Sequence, residues 1–239
     1  MFFTYRGKSS KDFGLKIINI NNLSSPKRNI TKESILGRNG DLLIDNNNYE
    51  NFTLEIECDI VLNKNQDINT ISDEIKKWLY SSFKYDKLIL NDSPELYYEA
   101  VCINKIDISM ILKNYGSILI IFDCKPFKKY INGNSYIDIT LSKTIYNGFG
   151  FESYPILSIY GNGNITLNIN NQSLILKDIE NKITIDSEMM NAYKIVDGLI
   201  TLQNNKMYSD FPTLDPGENK FSWIGNIEKI EVMPRWAKL

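Results

Sequence analysis

Apolar and polar residues alternate along much of the chain, and this alternation predicts β-strands. The clearest case follows the stretch GRNGDLLIDNNNYEN, where every second residue from Phe52 to Ile60 is apolar. A period of two places these side chains on one face of a strand. Other segments rich in β-branched and aromatic residues, separated by Asn, Asp, Pro or Gly, predict strands at residues 87–90, 97–103, 106–112 and 116–123.

One segment has a helical period instead. In DINTISDEIKKWLYSSFK, apolar residues recur at intervals of three and four, namely at Ile68, Ile71, Ile75, Trp78 and Leu79. This spacing produces one apolar stripe along a helix. The sequence therefore predicts a single amphipathic helix that covers a sheet.

A second run of strands begins near residue 132. The stretches INGNSY and NGFGFESYP are rich in Asn and Gly, and alternation resumes after them, for example at Ile165, Leu167 and Ile169. A chain of 239 residues with 43% apolar residues is long enough for two domains of usual size. The sequence thus predicts a mainly β protein with two β-sandwich domains, residues 1–131 with one flanking helix and residues 132–239.

The stretch GRNGDL lacks the pattern of a phosphate-binding loop. A Walker loop needs G-x-x-x-x-G-K-[ST], and a dinucleotide fold needs G-x-G-x-x-G before a helix. Here the glycines introduce β-structure, so Gly37 and Gly40 are predicted to permit backbone angles that other residues resist. Arg38 and Asp41 are then placed to bond a neighbouring chain or each other. The alternative, an ordinary exposed turn with a free Arg and a free Asp, stays open.

Charge and residue types narrow the function classes. There are 27 basic and 29 acidic side chains, a formal net charge of −2, so the cationic surplus typical of nucleic-acid binding is missing. Histidine is absent, which excludes His-based triads and the commonest zinc sites, and no metal or cofactor is expected. Cys58, Cys102 and Cys124 lie in apolar stretches and are predicted to be small buried hydrophobes.

The termini and hydropathy suggest no membrane insertion. No apolar run reaches the length needed to span a bilayer, and MFFTYRGKSSKDFG lacks the pattern of a signal peptide. The sequence therefore predicts synthesis in the cytoplasm.

A few side chains invite a reading as catalytic or sugar-binding groups. Asp186 and Glu188 lie two apart on a strand-like segment, as paired carboxylates for glycoside hydrolysis would, but solvated strand-end acids explain them better. Trp223 and Trp236 could stack on sugar rings, yet core or interdomain packing is the preferred prediction. The lysines of KPFKKY are interpreted as a solvated charge cluster at the domain junction.

An ordered set of segments resembles the distal tail protein (Dit) family of long-tailed, non-contractile phages. The segments are FTYRGKSSKDFGL from Phe3, GRNGDL from Gly37 followed by YEN at Tyr49, CKPFKKY from Cys124, GFESYPILSIYGNGNITLNIN, ITIDSEMMNAYK and FPTLDPGENKFSWIGNIEKIEVMPRW. Together they cover nearly the whole chain. No single motif is decisive, but their order is specific.

The resemblance implies a structural virion protein and no enzyme. Family members form a hexameric ring at the tail tip, built from the N-terminal sandwich and its helix, while a galectin-like C-terminal sandwich projects outward. One face of the ring meets the tail-tube protein, the other meets the tail-associated fibre or lysin protein, and the adsorption apparatus with its receptor-binding protein hangs from this hub. The expected location is the tail tip of a phage or prophage particle, assembled in the host bacterial cytoplasm.

Two other functions stay open as alternatives. The first is a carbohydrate-binding module that contacts the host cell wall through the outer sandwich, although the sugar site of galectins depends on a histidine and this chain has none. The second is a wall-degrading hydrolase, which normally shows a recognisable acid pair or metal site.

Overall fold

The computed structural model describes residues 1–21, 23–62, 66–112 and 115–239. These residues divide into two compact units, Met1–Lys128 and Lys129–Lys238. Strands dominate both units, and the first carries the α-helix, so the predicted mainly β fold class is confirmed.

The first unit is built on one large antiparallel sheet. The strands of this unit are β1 (Phe3–Tyr5), β2 (Lys8–Ser9), β3 (Leu15–Ile20), β4 (Arg28–Ser34), β5 (Asp41–Tyr49), β6 (Phe52–Val61), β7 (Asp86–Leu90), β8 (Leu96–Cys102), β9 (Ile108–Leu112) and β10 (Tyr115–Cys124). The sheet has the order β2-β1-β7-β8-β10-β6-β3, with β9 paired to β10. Strands β4 and β5 form a separate two-stranded sheet.

The centre of this sheet is the pairing of β6 with β10. It runs without a register shift from Phe52 opposite Cys124 to Val61 opposite Tyr115. The alternate residues of β6 predicted from the sequence are buried, and their neighbours face outward. The predicted strand at residues 52–61 is therefore confirmed, and the four shorter predicted strands match β7 to β10 to within two residues at each end.

The predicted helix is confirmed as α1 (Ile68–Leu79). Asp67 caps its N-terminus, because its carboxylate accepts a hydrogen bond from the Thr70 backbone N–H at 3.0 Å. Ile71 and Ile75 are buried with Trp78 and Leu79, while Ile68 packs on the core's rim.

Trp78 fastens this helix to the sheet. Its ring stacks on Phe13, with centroids 4.5 Å apart, and on Phe3 at 5.6 Å. Its indole N–H donates to the Tyr5 backbone carbonyl at 2.8 Å, so the polar atom of this buried side chain is satisfied. The apolar stripe of α1 thus covers the inner face of the sheet, as the helical spacing predicts.

The second unit is formed by strands alone, apart from short 3₁₀ turns. Its strands are β12 (Ile137–Asp138), β13 (Thr144–Asn147), β14 (Ile156–Ile169), β15 (Gln172–Ile179), β16 (Lys182–Asp186), β17 (Asn191–Val196), β18 (Leu199–Leu202), β19 (Gly217–Met233) and β20 (Ala237–Lys238), and β11 (Lys128–Tyr130) spans the division between the units. The main sheet has the order β12-β19-β14-β16-β17-β18.

Two long strands, β14 and β19, change partners part-way along their length. The first half of β14 pairs with β16 and its second half with β15, while β19 pairs with β13 near its start and with β12 near its end. Register shifts mark the change between Tyr160 and Thr166. Strands that bend at such irregularities pass from one layer of a sandwich to the other.

Glycines allow the close approach at this bend. A Cβ on Gly161 would lie 2.2 Å from the Asn226 carbonyl oxygen, and one on Gly225 would lie 2.5 Å from the Asn164 carbonyl oxygen. Gly225 also has a φ of +118°, which L-residues rarely adopt. The crossing of β14 and β19 therefore requires glycine at both positions.

The segment INGNSY, predicted to open the second domain, is bound through its backbone to the second unit, although of its six residues only Gly133 is buried. Residues Ile131–Asn134 form a 3₁₀ helix in which Gly133 is buried. The Gly133 carbonyl accepts from the Arg235 backbone N–H at 2.8 Å, and the Tyr130 N–H donates to the Trp236 carbonyl at 2.9 Å. This unit begins with a strand and turn held against its own C-terminus.

Replacing Gly161 by Ala tests the strand crossing. Because the new Cβ would overlap a backbone oxygen, we expect the free energy of unfolding to fall by about 3 kcal/mol. The measurement is urea denaturation followed by fluorescence.

The matched control is Gly148→Ala, at an exposed glycine whose added Cβ would lie 3.6 Å from the Tyr146 ring. Its effect should stay within about 0.5 kcal/mol. Equal effects of the two substitutions would contradict the close crossing.

Candidate assembly interface

The stretch GRNGDL forms the tip of a β-hairpin made by β4 and β5. The two strands pair antiparallel, with Ser34 opposite Asp41 and Thr31 opposite Ile44, and residues 35–40 turn the chain. Gly37 and Gly40 have φ values of +81° and +84°. The prediction that these glycines supply unusual backbone angles is confirmed.

This hairpin is exposed on both faces. Every residue from 30 to 48 is exposed, and among the described strands β4 and β5 pair only with each other. Six of the exposed side chains are aliphatic: Ile30, Ile35, Leu36, Leu42, Leu43 and Ile44. Leu36 at the tip is fully exposed, and Leu43 is 61% exposed. An isolated hairpin with such a surface is marginally stable in water.

Only the base of the hairpin is fastened to the first unit. The Tyr49 ring meets the Phe127 ring edge to face at 5.6 Å. The Glu50 N–H donates to the Lys27 carbonyl at 2.8 Å, and the Lys27 ammonium lies 2.9 Å from the Glu50 carboxylate. Among the residues that the structure describes, the hairpin thus extends from a fixed base to a tip whose side chains, from 35 to 40, are all exposed.

Arg38 and Asp41 lie at this tip. Both are exposed, and within the described residues neither side chain forms a hydrogen bond or an ion pair. The two side chains do not bond each other. Two of the predictions for them therefore remain: a contact with a neighbouring chain, or an ordinary exposed turn. Their part in an interface stays a prediction.

The carboxylates Asp186 and Glu188 have a different setting from the predicted one. Strand β16 ends at Asp186, and Glu188 lies in the following turn. Arg235 binds Asp186 through two hydrogen bonds of 2.7 and 2.9 Å and lies 3.4 Å from Glu188, which also contacts Lys129 at 2.6 Å.

These contacts correct the expectation of solvated strand-end acids. The Asp186 side chain is 3% exposed, and the Arg235 side chain is 15% exposed. A buried carboxylate held by both nitrogens of a guanidinium is a structural ion pair with fixed geometry. The pair anchors the C-terminal segment to the end of β16.

The tryptophans pack as predicted. Trp236 is buried in the core of the second unit, and Trp223 packs at its edge with the Lys143 ammonium 4.7 Å from its ring centroid. The prediction of core packing is therefore confirmed for Trp236, whereas Trp223 is partly buried and packs against the core from its edge.

The outer face of the second unit presents an aromatic ring, but cations cover it. Tyr160 has the Lys182 and Lys229 ammonium groups 4.5 and 5.9 Å from its ring centroid, and its hydroxyl donates to Glu231. Hydrogen bonding to Lys229, together with the Tyr160 hydroxyl, lowers the pKa of the Glu231 carboxyl. The hydrogen-bonding groups of this network thus bind one another, and both ammonium groups lie close to the Tyr160 ring.

The lysines of KPFKKY are only partly solvated. Lys125 lies 3.1 Å from Glu99, and Lys128 lies over the Tyr98 ring at 5.3 Å. Lys129 is 11% exposed in its ion pair with Glu188. The interpretation as a solvated charge cluster is therefore wrong for Lys129, because its long side chain reaches the buried cluster around Arg235.

The three cysteines are free thiols in the core of the first unit, as predicted. Burial raises the pKa of Cys58 to about 12, of Cys102 to about 11 and of Cys124 to about 12. Protonated, buried thiols are inert in metal binding and disulfide exchange.

A cleft of about 560 Å³ lies beside helix α1. It is lined by Phe13 and Trp78 and by charged side chains of both signs, among them Arg6. The Arg6 guanidinium donates to Ser81 Oγ at 2.7 Å and to the Ser82 and Lys84 carbonyls at 2.7 and 2.8 Å. Arg6 thus orders the loop that follows the helix.

The described ranges contain no group of three or more Cys, Asp or Glu side chains arranged to hold a metal ion. Likewise, none of the helices described is long and apolar enough to cross a membrane.

Comparison with known families decides the class of protein. A family model described as phage tail protein N-terminal domain matches residues 1–126. The chain belongs to this family of phage tail proteins. The match covers the first unit and includes the exposed hairpin.

Solved structures resemble this phage tail protein over nearly its full length. The Dit protein (gp 19.1) of phage SPP1, described as a paradigm of the hub adsorption apparatus in phages that infect Gram-positive bacteria, has a TM-score of 0.72 at 12% identity, with 97% of each chain covered. Two structures of the phage p2 baseplate in its activated conformation, with Sr and with Ca, each have a TM-score of 0.51 at 10% identity, covering 94% of this chain and 91% of that chain. No curated protein sequence matches the chain. At these identities the likeness shows a shared fold.

Asp186→Asn tests the buried ion pair. The substitution keeps the shape of the side chain but removes the two charge-assisted hydrogen bonds of Arg235 to Asp186 and leaves Glu188, at 3.4 Å, as its carboxylate neighbour. We therefore expect a loss of about 2 kcal/mol in the free energy of unfolding. Urea denaturation measures it.

The matched control is Glu218→Gln, which removes an exposed carboxylate 3.1 Å from Lys220. It should change stability by less than about 0.5 kcal/mol. A loss below about 1 kcal/mol for Asp186→Asn would show that the pair is solvated after all.

Proposed function

We propose that this phage tail protein is a structural hub that forms a hexameric ring at the distal end of a long, non-contractile tail. In this role it joins the tail tube to the tail-associated fibre or lysin protein and to the adsorption apparatus with its receptor-binding protein. The ring is assembled in the host bacterial cytoplasm and becomes part of the virion tip. The family assignment and the fold shared with the SPP1 hub protein support this role.

The exposed hairpin is the observation that carries the proposal. Six aliphatic side chains on an unsupported pair of strands have no structural use in a single copy. Burial of each against another chain contributes about 1.5–3 kcal/mol, which is the scale needed for a stable interface. A hairpin of one copy that docks on the next copy makes a head-to-tail contact, and such contacts close into a ring where the rotation between copies is a whole fraction of a full turn.

In this proposal the two units have different parts, because only the first carries the β4–β5 hairpin. The first unit, residues 1–131 in the predicted domain map, carries the hairpin and forms the ring, and residues 132–239 project as a galectin-like sandwich. The near-zero net charge fits mixed apolar and hydrogen-bonded contacts and no sequence-specific binding of nucleic acid.

Neither alternative function has a comparable feature in its favour. A carbohydrate-binding module would need an open aromatic face; Tyr146 is 71% exposed, but the family match and the shared fold support the hub role instead. For a wall hydrolase, the carboxylates Asp186 and Glu188 are bound to Arg235 and Lys129. A non-enzymatic role is therefore part of the proposal.

The double variant Leu36→Ser, Leu43→Ser tests the hairpin as the ring interface. Both side chains are exposed in the single copy, so the fold should be kept, while the loss of two buried leucines should weaken each interface by about 3–6 kcal/mol. Sedimentation velocity and native mass spectrometry should show hexamers for the unaltered protein and monomers for the variant.

The matched control is Leu199→Ser, Ile200→Ser in β18, which removes two aliphatic side chains of similar exposure, 73% and 66%, from the second unit. It should leave the ring intact. An unaltered protein that stays monomeric even when mixed with its tail-tube protein would contradict the hub, and equal masses for both variants would contradict the hairpin contact.

Arg38→Ala tests the turn itself. If the guanidinium is buried against the next copy, its truncation should weaken each interface by about 2 kcal/mol or more. The dissociation concentration of the ring, measured by sedimentation, should rise accordingly. Lys220→Ala, which removes an exposed cation from the second unit, serves as the control; a ring unchanged by Arg38→Ala would leave Arg38 a surface residue.

A further inference from the structure

The chain contains four Asn–Gly pairs, at Asn39–Gly40, Asn132–Gly133, Asn147–Gly148 and Asn162–Gly163. Such pairs are chemically labile, because glycine has no side chain to hinder its backbone nitrogen. That nitrogen attacks the side-chain carbonyl carbon of the asparagine, a C–N bond forms, and the side-chain amide leaves as ammonia. Water then opens the succinimide ring at either carbonyl, which leaves aspartate or isoaspartate.

The reaction requires the backbone and the asparagine side chain to rotate freely, and two of the four pairs are locked by side-chain hydrogen bonds. Asn147 is 2% exposed, and its amide donates to the Phe151 carbonyl at 2.7 Å and to the Leu214 carbonyl at 3.3 Å. Asn162 lies within β14, opposite Asn226, and its side-chain oxygen accepts from the Asn181 N–H at 3.0 Å.

The third pair is locked by its backbone. Asn132 lies within the 3₁₀ helix Ile131–Asn134, and Gly133 is buried, with a position for a Cβ only 2.5 Å from the Trp236 nitrogen. The Gly133 carbonyl accepts the Arg235 N–H. This segment has no room for the rotation that ring closure needs.

Asn39–Gly40 has neither restraint, a side-chain hydrogen bond or a packed backbone. Both residues are exposed at the hairpin tip, and the Asn39 side chain makes no hydrogen bond within the described residues. No atom lies within 4 Å of a Cβ placed on Gly40. We propose that Asn39 is a site of spontaneous deamidation, with water as the co-reactant and ammonia as the product.

The product changes the candidate interface, a consequence that rests on the proposed function. Deamidation adds a negative charge two residues from Asp41, and isoaspartate also lengthens the backbone by one methylene between the two turn glycines. Both changes act against a tip that must fit a neighbouring copy. Protein that has aged as free subunits therefore assembles less well than fresh protein.

The experiment follows the modification directly. Full-length protein is incubated in heavy-oxygen water at mildly alkaline pH, cleaved after glutamate to release residues 34–50 intact, and analysed by mass spectrometry. Isoaspartate is labelled with protein isoaspartyl methyltransferase. We expect Asn39 to deamidate at least about tenfold faster than each of the other three asparagines, since those must first break hydrogen bonds or packing. Asn39→Gln should remove the fast label.

Each outcome decides one question. Comparable rates at Asn39 and Asn132, or no label at Asn39, would overturn the deamidation site. If Asn39 is labelled in dilute monomer but protected in the assembled ring, both proposals are supported. If labelling is equally fast in the ring, the deamidation site stands and the hairpin contact fails. Asn39→Asp, measured by sedimentation, should raise the dissociation concentration of the ring, and an unchanged value would again reject the contact alone.

Discussion

The packing of Trp78 holds helix α1 over the apolar face of the sheet in the first unit. Its ring lies between Phe13 and Phe3, and its N–H is bound by the Tyr5 carbonyl, so helix α1 has one position on the sheet. A sheet whose strands are apolar on one face must bury that face against another element, and α1 is that element here. Because that cover is complete without β4 and β5, the hairpin has no place in the core and is left to solvent.

The second unit solves the same problem with strands alone. The long strands β14 and β19 each contribute to both layers of the sandwich, and Gly161 and Gly225 permit the crossing. Part of its surface is a polar network whose members bind one another, as around Tyr160 and Arg235. A polar network that is bonded internally is rigid. The hairpin of β17 and β18 nevertheless exposes aliphatic side chains, among them Ile195, Leu199 and Ile200. The two units thus each present an exposed aliphatic hairpin, but β17 is joined to a larger sheet through β16, whereas β4 and β5 pair only with each other among the described strands.

Periodicity predicted the elements that bury one face, namely β6, α1 and the strands of the second unit, because the spacing of apolar residues in the sequence shows which face is buried. The same reasoning located the turn glycines Gly37 and Gly40. It missed the ion pairs of Asp186 and Lys129, since Arg235 lies 49 residues from Asp186 and Glu188 lies 59 residues from Lys129, and no local pattern joins residues that far apart. It also missed that INGNSY is bound through its backbone, because an Asn–Gly stretch looks the same whether its glycine turns in solvent or fits against a backbone, as Gly133 does. Contacts between distant positions depend on the fold, not on spacing.

An exposed hairpin is a liability for a single chain, because its outer edges and aliphatic side chains can pair with any extended segment. A closed ring removes that liability, since each copy then covers the hairpin of the next and no end is left open. The cores of both units are complete without the hairpin, so folding of each copy need not wait for assembly. The hairpin can therefore dock after each copy has folded. The fraction of docked hairpins then depends on the concentration of subunits by mass action. If the proposed ring buries the hairpin tip, the proposed deamidation at Asn39 proceeds only in the free subunit, and prompt assembly then protects the residues that assembly uses.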